Sequence, residues 1–185
     1  MAPGAASGPA EAIPLIDSAV LVPVYRRDDG DLRMVLIRRS EGGTHGGHLA
    51  FPGGKCDPTD ASRLDTALRE AWEEIGLAPG DVEVLAELPA AQTLTSGFRV
   101  FPFLGRVTRR VAWRPDPREV SEVVDLAVAD LARAEAHAEE LMHYPTWPEP
   151  RPTPFCRVGG YQVWGVTYRI LHPLLPRLLA GEWKV

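Results

Sequence analysis

Lysine is nearly absent from this chain: Lys55 and Lys184 are the only two in 185 residues, and arginine carries the rest of the positive charge. Basic charge is itself in deficit, with a formal net charge of −5. A protein that grips a nucleic-acid polymer usually presents a basic face, so this balance argues against such a partner. It leaves room for a small anionic substrate, whose charge a metal ion can neutralise locally. Cysteine is scarce too. Cys56 and Cys156 stand far apart and outside any CxxC pair. That excludes a disulfide framework and a thiolate zinc site, and suits reduced thiols in a cytoplasmic protein. No apolar run approaches the roughly 18 residues of a membrane span, so no membrane partner is expected. Residues 1–12, which start MAPGAASGPA, lack both a basic start and a long apolar stretch, and read as a flexible tail.

What remains is a chain that is 45% apolar, enough for one compact domain over 13–185 without covalent staples. Residues 17–25 (DSAVLVPVY) read as a buried strand, 28–31 as a turn and 32–38 (LRMVLIR) as the partner strand. Glycines and histidines mark a loop over 41–48, followed by a short extended piece at 49–51 and punctuation at 52–55. A helix follows. Ser62 is its expected N-cap, with Asp65 three residues on, and Gly76 its left-handed terminator. Leu64, Ala67, Leu68, Ala71 and Ile75 recur at helical spacing and form its core stripe. Strands are expected over 82–88, 92–96, 98–107 and 123–127, and a second helix over 130–142. Five prolines make 144–154 a rigid irregular segment. A last strand over 160–166 and a last helix over 166–179 complete an α+β reading: a mixed sheet with helices packed in α/β/α layers.

The chemistry concentrates in residues 53–77, GGKCDPTDASRLDTALREAWEEIGL. Glu70, Glu73 and Glu74 are separated by three and by one, which on a helix places them within about a quadrant of each other. Three such carboxylates repel unless protons or a cation intervene. Oxygen-only ligands suit a hard divalent ion, Mg²⁺ or Mn²⁺, rather than zinc. Arg69 lies one turn before Glu73, within reach of an ion pair. A solvated acidic helix face is the plainer alternative, but it would need neither the Gly-Gly turn nor the Arg-Glu pair at this spacing.

The stretch resembles the Nudix box, G-x5-E-x7-R-E-U-x-E-E-x-G-U. Gly54, Arg69, Glu70, Glu73, Glu74, Gly76 and Leu77 occupy its fixed positions. Asp60 stands where the first Glu is usual, eight residues rather than seven separate it from Arg69, and Ala71 is small where the pattern wants bulk. A box one residue longer, preceded by F-P-G-G, resembles the coenzyme A diphosphatase branch. Phe51 to Lys55, Asp57, Asp60, Ser62, Thr66, Ala67 and Leu68 match that branch. So do Arg39, Ser40 and Gly47 upstream, Pro117, Glu119, Val120, Glu122 and Val123 downstream, and the Trp164-Gly165-Val166-Thr167 run. An arginine expected in the upstream loop is missing; Gly42 and Gly43 lie there in a loop one residue shorter.

The resemblance implies a Nudix fold and hydrolysis of a small-molecule diphosphate, with Mg²⁺ or Mn²⁺ as cofactor. Coenzyme A would yield 4′-phosphopantetheine and adenosine 3′,5′-bisphosphate. Glu70 and Glu74 are the implied metal ligands, with the Gly54 carbonyl, and Glu73 as ligand or general base. Glu122 or Glu119 is a candidate base from a later segment, and Arg69 completes the catalytic set. Arg39 and Lys55 are the candidate phosphate binders, and Phe51 is either core or a base-stacking wall. His45 and His48 read as incidental loop histidines, and Trp164 as packing. A homodimer is an expectation that rests on the family alone. Two alternatives stay open: the same chemistry on a nucleotide-sugar, dinucleotide polyphosphate or oxidised nucleotide, and a Nudix-fold module that binds without catalysis.

Overall fold

The computed structural model describes residues 15–41, 46–93, 96–109, 111–143, 147 and 149–185. The expected tail at 1–12, His45 with Gly42 and Gly43, and residues 94 and 95 of the strand expected over 92–96 lie outside the described residues.

The central sheet is built on β1 (Ile16–Arg26) and β2 (Leu32–Arg39), an antiparallel hairpin. The short β3 (Leu49–Ala50) pairs with β2, and β4 (Gly53–Lys55) pairs with β1. Helix α1 spans Arg63–Ile75, and β5 (Val82–Glu87) and β6 (Ala91–Gln92) follow. Strand β7 (Phe98–Val107) returns parallel to β1, which makes the sheet mixed. Strand β8 (Val120–Ala127) closes the other flank against β2, and α2 (Val128–Leu131) continues from it. A separate three-stranded sheet holds β9 (His137–Met142), β10 (Arg151–Val158) and β11 (Tyr161–Trp164), and α3 (Gly165–Leu179) ends the fold.

Alternation along the central strands explains the layering, because successive side chains of a strand face opposite sides. Val22, Val24, Met34 and Leu36 share one apolar cluster with Leu171, Leu174 and other residues of α3. Leu21, Val35 and Ile37 join Ala67, Ala71 and Ile75 of α1 in a second cluster. The sheet is therefore buried on both faces. The α/β/α expectation holds, with the small sheet sharing the α3 face. Helix α1 starts and stops where its sequence says: the Ser62 hydroxyl accepts from the Asp65 N–H, and Gly76 ends it at φ 71°, a conformation that other residues adopt only under strain.

Four expectations need correction. Residues 130–142 are not a helix. Only Val128–Leu131 and a helical turn at Ala134–Ala136 are helical, and 137–142 is strand β9. The helix-favouring Ala, Glu and Leu of this segment are overridden by pairing with β10. Second, β10 rises out of the proline-rich segment itself. Over Arg151–Pro154 it has a partner on one side only, so Pro152 and Pro154 occupy an edge that tolerates a missing N–H. Third, β8 begins at Val120 rather than Val123. Fourth, among the described residues of 92–96 only Gln92 is strand, in β6 (Ala91–Gln92).

Candidate functional site

The site begins with how α1 meets β4. Gly54 lies so close to α1 that a Cβ there would stand 2.5 Å from the Glu70 Cδ and Oε1, so glycine is required for the carboxylate to rest on this backbone. Gly53 presents its N–H to the Glu74 Oε2 at 2.8 Å. Glu74 is only 2% exposed, an extreme burial for a carboxylate. Burial pushes its pKa up to about 8, with further upward pressure from Glu70 and Glu119, against the lowering effects of the Gly53 N–H and Arg39. Glu70 is also raised, chiefly by burial, although Arg69 works in the opposite direction. The two adjacent carboxylates thus sit on a dry wall where negative charge lacks full compensation.

Arg69 holds this arrangement in place. Its guanidinium grips Asp60 through two bonds, Nε to Oδ1 at 2.9 Å and Nη2 to Oδ2 at 3.0 Å. Its Nη1 donates to Glu70 at 2.9 Å and to Glu73 at 3.0 Å. Asp60 also accepts from the Thr66 hydroxyl and from the Asp57 N–H. Its pKa is held well below the usual range, above all by Arg69. Glu73 behaves differently from its neighbours: its side chain is 54% exposed, outside the buried pair, and shares the Arg69 Nη1 with Glu70. The expected convergence of three carboxylates is therefore reduced to Glu70 and Glu74.

Arg39 comes from the end of β2, 4.0 Å from Glu74 Oε1. At that point the β2–β8 register slips by one residue: Arg38 faces Glu122, but Arg39 faces Val120. Ser121 is the extra residue, and its hydroxyl donates to the Arg38 carbonyl. Such a bulge reverses the facing pattern of everything beyond it. Val124 and Leu126 pack on the α3 side while Val120 packs on the α1 side. The consequence falls on the two candidate bases. Glu122 is left accepting from the Tyr161 hydroxyl at 2.5 Å, outside the cleft. Glu119 instead lines the cleft, and its charge acts on both Glu70 and Glu74. The loop before it is tied to the end of α1, with the Arg114 N–H on the Ile75 carbonyl and the Asp116 N–H on the Glu74 carbonyl, each at 2.9 Å.

These groups border a cleft of about 710 Å³, within the size range of small-molecule sites. Its lining includes the charged Arg39, Lys55, Glu70 and Glu119 beside the Gly53–Gly54 backbone. It also includes the apolar and aromatic Phe98, Val100, Trp147, Trp164 and Val166. Trp147 and Trp164 meet edge to face with centroids 6.1 Å apart. Phe51 does not reach the cleft: it is 2% exposed and belongs to the apolar core. His48, read as an incidental loop histidine, and Trp164, read as packing, both line it. Trp147, hidden in the proline-rich stretch, had no sequence signal at all.

The donor chemistry fits a hard divalent cation. Glu70 lines the cleft, Glu74 is buried with its Oε2 on the Gly53 N–H, and the Gly54 backbone adjoins Glu70 too closely to admit a side chain. Among the described residues no three acidic, histidine or cysteine side chains form a ready-made metal cage. Two carboxylates beside a backbone carbonyl suit a Mg²⁺-like ion, which is typically held by one or two carboxylates and completes its shell from substrate phosphates and water.

A family model described as NUDIX domain matches residues 15–144. Curated relatives from Salmonella paratyphi B and Salmonella newport, each described as an uncharacterized Nudix hydrolase, NudL, are 36% identical over 172 residues, covering 85% of this chain and 80% of theirs. Among solved structures, a MutT/nudix family protein from Enterococcus faecalis superposes with a TM-score of 0.58 at 16% identity, covering 95% of this chain and 65% of that one. A C. elegans Ap4A hydrolase superposes with a TM-score of 0.53 at 18% identity, covering 63% and 82%. At these identities the solved structures speak to the fold alone.

Proposed function

The chain belongs to the NUDIX family and is a Nudix hydrolase acting on a diphosphate, and we propose that its substrate is coenzyme A or an acyl-coenzyme A. The observation that carries the reading is a single cleft in which Arg39, Lys55 and Glu70 share the lining with Phe98, Val100, Trp147 and Trp164, with Arg39 4.0 Å from the buried Glu74. Coenzyme A combines the same two characters, a charged diphosphate and flanking groups, a nucleotide base and a pantetheine arm, that suit apolar and aromatic walls.

In this reading Glu70, Glu74 and the Gly54 carbonyl hold a divalent cation, Mg²⁺ or Mn²⁺. When bound, that ion neutralises diphosphate charge and lowers the pKa of an attacking water. Arg39 binds phosphate oxygens beside Glu74, and Lys55 adds a second cation at the exposed rim. Glu119 is the base that takes the proton from water as its oxygen bonds to phosphorus. The bond from that phosphorus to the bridging oxygen breaks, and the bridging oxygen leaves on the second phosphate. Arg69 is a positioning residue: it fixes Glu70 and Glu73 against Asp60 and is fully engaged by carboxylates. Glu73 and Glu122 stand outside this minimal set, the first exposed and the second held by Tyr161.

The test is a substrate panel with Mg²⁺ or Mn²⁺, with both products identified. The reading expects 4′-phosphopantetheine and adenosine 3′,5′-bisphosphate from coenzyme A. Turnover of a nucleotide-sugar or dinucleotide polyphosphate with no cleavage of coenzyme A would assign the chemistry to another substrate.

A further inference from the structure

Beside the main cleft lies a second cavity of about 250 Å³. The two abut along a common wall of His48, Leu49 and Trp164. The His48 and Trp164 rings meet edge to face with centroids 5.0 Å apart, which makes this wall an aromatic ridge. Arg39 stands on the cleft side of the ridge and Arg38 in the second cavity. Consecutive residues of a strand point opposite ways, so β2 delivers one guanidinium to each cavity.

The second cavity is rich in donors. No carboxylate lines it among the described residues. Arg38 is exposed and forms no salt bridge among the described residues. Its charge acts on Tyr161, whose hydroxyl donates to Glu122, the cross-strand neighbour of Arg38. Gln162 supplies another donor. Its Oε1 accepts from the Arg157 Nη2 at 2.9 Å. Arginine only donates, so the atom facing Arg157 must be the amide oxygen, and the NH₂ group is turned elsewhere. Arg38 thus stands as a free guanidinium fork, the geometry that suits phosphate oxygens.

We propose that this second cavity is an anion subsite that reads a phosphomonoester carried by the substrate away from its scissile diphosphate, with Arg38 as the specificity-determining residue. The inference builds on the coenzyme A reading, in which the 3′-phosphate of the adenosine is that group. The purine then lies along the His48–Trp164 ridge, where a flat ring finds aromatic contact. Arg39 serves the diphosphate and Arg38 the monoester, so two neighbouring residues of one strand measure the spacing of the two anionic groups.

The experiment compares adenosine 3′,5′-bisphosphate with adenosine 5′-monophosphate by titration calorimetry, using the full chain as wild type, R38Q and R38K. Wild type is expected to bind the bisphosphate at least about 10-fold more tightly, the value of one charge-assisted contact. R38Q is expected to bring the two affinities to about the same value, and R38K to restore part of the difference. Equal affinities in the wild type, a preference that survives in R38Q, or no binding of either nucleotide overturns the subsite. Hydrolysis of coenzyme A is followed in parallel. If coenzyme A is not cleaved while the Arg38-dependent preference stands, the substrate reading fails and the subsite survives.

Discussion

Replacing Gly54 by alanine separates the geometry of the site from the stability of the fold. The new Cβ would stand 2.5 Å from the Glu70 Cδ and Oε1 and 2.7 Å from Oε2, whereas ordinary contact begins near 3.4 Å. The backbone at Gly54 needs no left-handed φ, so alanine is not strained by its own torsions. The clash is with a side-chain terminus alone, and the Glu70 carboxylate must retreat by about 1 Å. Side-chain rotation of that size costs about 1 kcal/mol, which lowers Tm by roughly 2–4 °C in a chain of this length. A catalytic group displaced by about 1 Å loses on the order of 100-fold in rate. G54A is therefore expected to fold normally and to lose about 100-fold in kcat/KM. The neighbouring variant G53A is the contrast: its Cβ would fall 2.3 Å from the Ala19 carbonyl oxygen and 2.6 Å from the Val20 Cα, rigid backbone of β1. G53A should lose far more stability than G54A. In an E70A background, with no carboxylate to displace, G54A should add little further loss. Steady-state kinetics with thermal unfolding on the four variants decides the matter. A G54A enzyme with wild-type kcat/KM, or a full additional loss in the E70A background, refutes the reasoning.

Other perturbations follow from the same geometry. E119Q should lower kcat by about 100-fold, in the range of a lost general base, while E122Q leaves it within about twofold; the reverse order would return the role to Glu122. The buried Glu74, raised from 4.5 to about 8, makes the metal-free protein most stable at low pH on its account. Between about pH 4.5 and 8 the folded state holds a proton that the unfolded state has lost, so stability falls across that window; E74Q should flatten this slope in thermal melts, and abolish turnover. Asp60 has the opposite sign, because Arg69 lowers its pKa. Its contribution is present above its ordinary value of 3.8 and fades as pH falls below it. Wild type should therefore lose more stability than D60N on acidification from pH 4, as read by chemical denaturation.

Much of this was legible in the sequence because it depends on short-range rules. The α1 helix, its Ser62 and Gly76 caps and its core stripe require only periodicity and capping chemistry. The nearness of Glu70, Glu73 and Glu74 likewise follows from helical spacing, whereas the preference for Glu70 and Glu74 among them rested on the Nudix resemblance. The failures share a different physics. Residues 137–142 carry helix-forming side chains and become a strand only because a distant segment, Arg151–Cys156, offers an edge to pair with. Phe51, which the sequence left as either core or wall, is core, and its place in the motif beside the site could not decide that. The choice between Glu119 and Glu122 depends on a bulge at Ser121, a register slip between strands more than 80 residues apart in sequence. Nothing local announces it. Glu73 illustrates the remaining gap: helical spacing places it near its neighbours, but Arg69 decides which way it turns.

The central claim is that Glu70 and Glu74 gather a divalent cation at a diphosphate-cleaving cleft. Its most direct test is calorimetric titration of Mn²⁺ into the wild-type protein and the E70Q/E74Q variant in the presence of a non-hydrolysable diphosphate analogue. Stoichiometric binding to the wild type, lost in the folded double variant, is the expected result. Undiminished Mn²⁺ binding in the double variant would place the metal elsewhere and contradict the account.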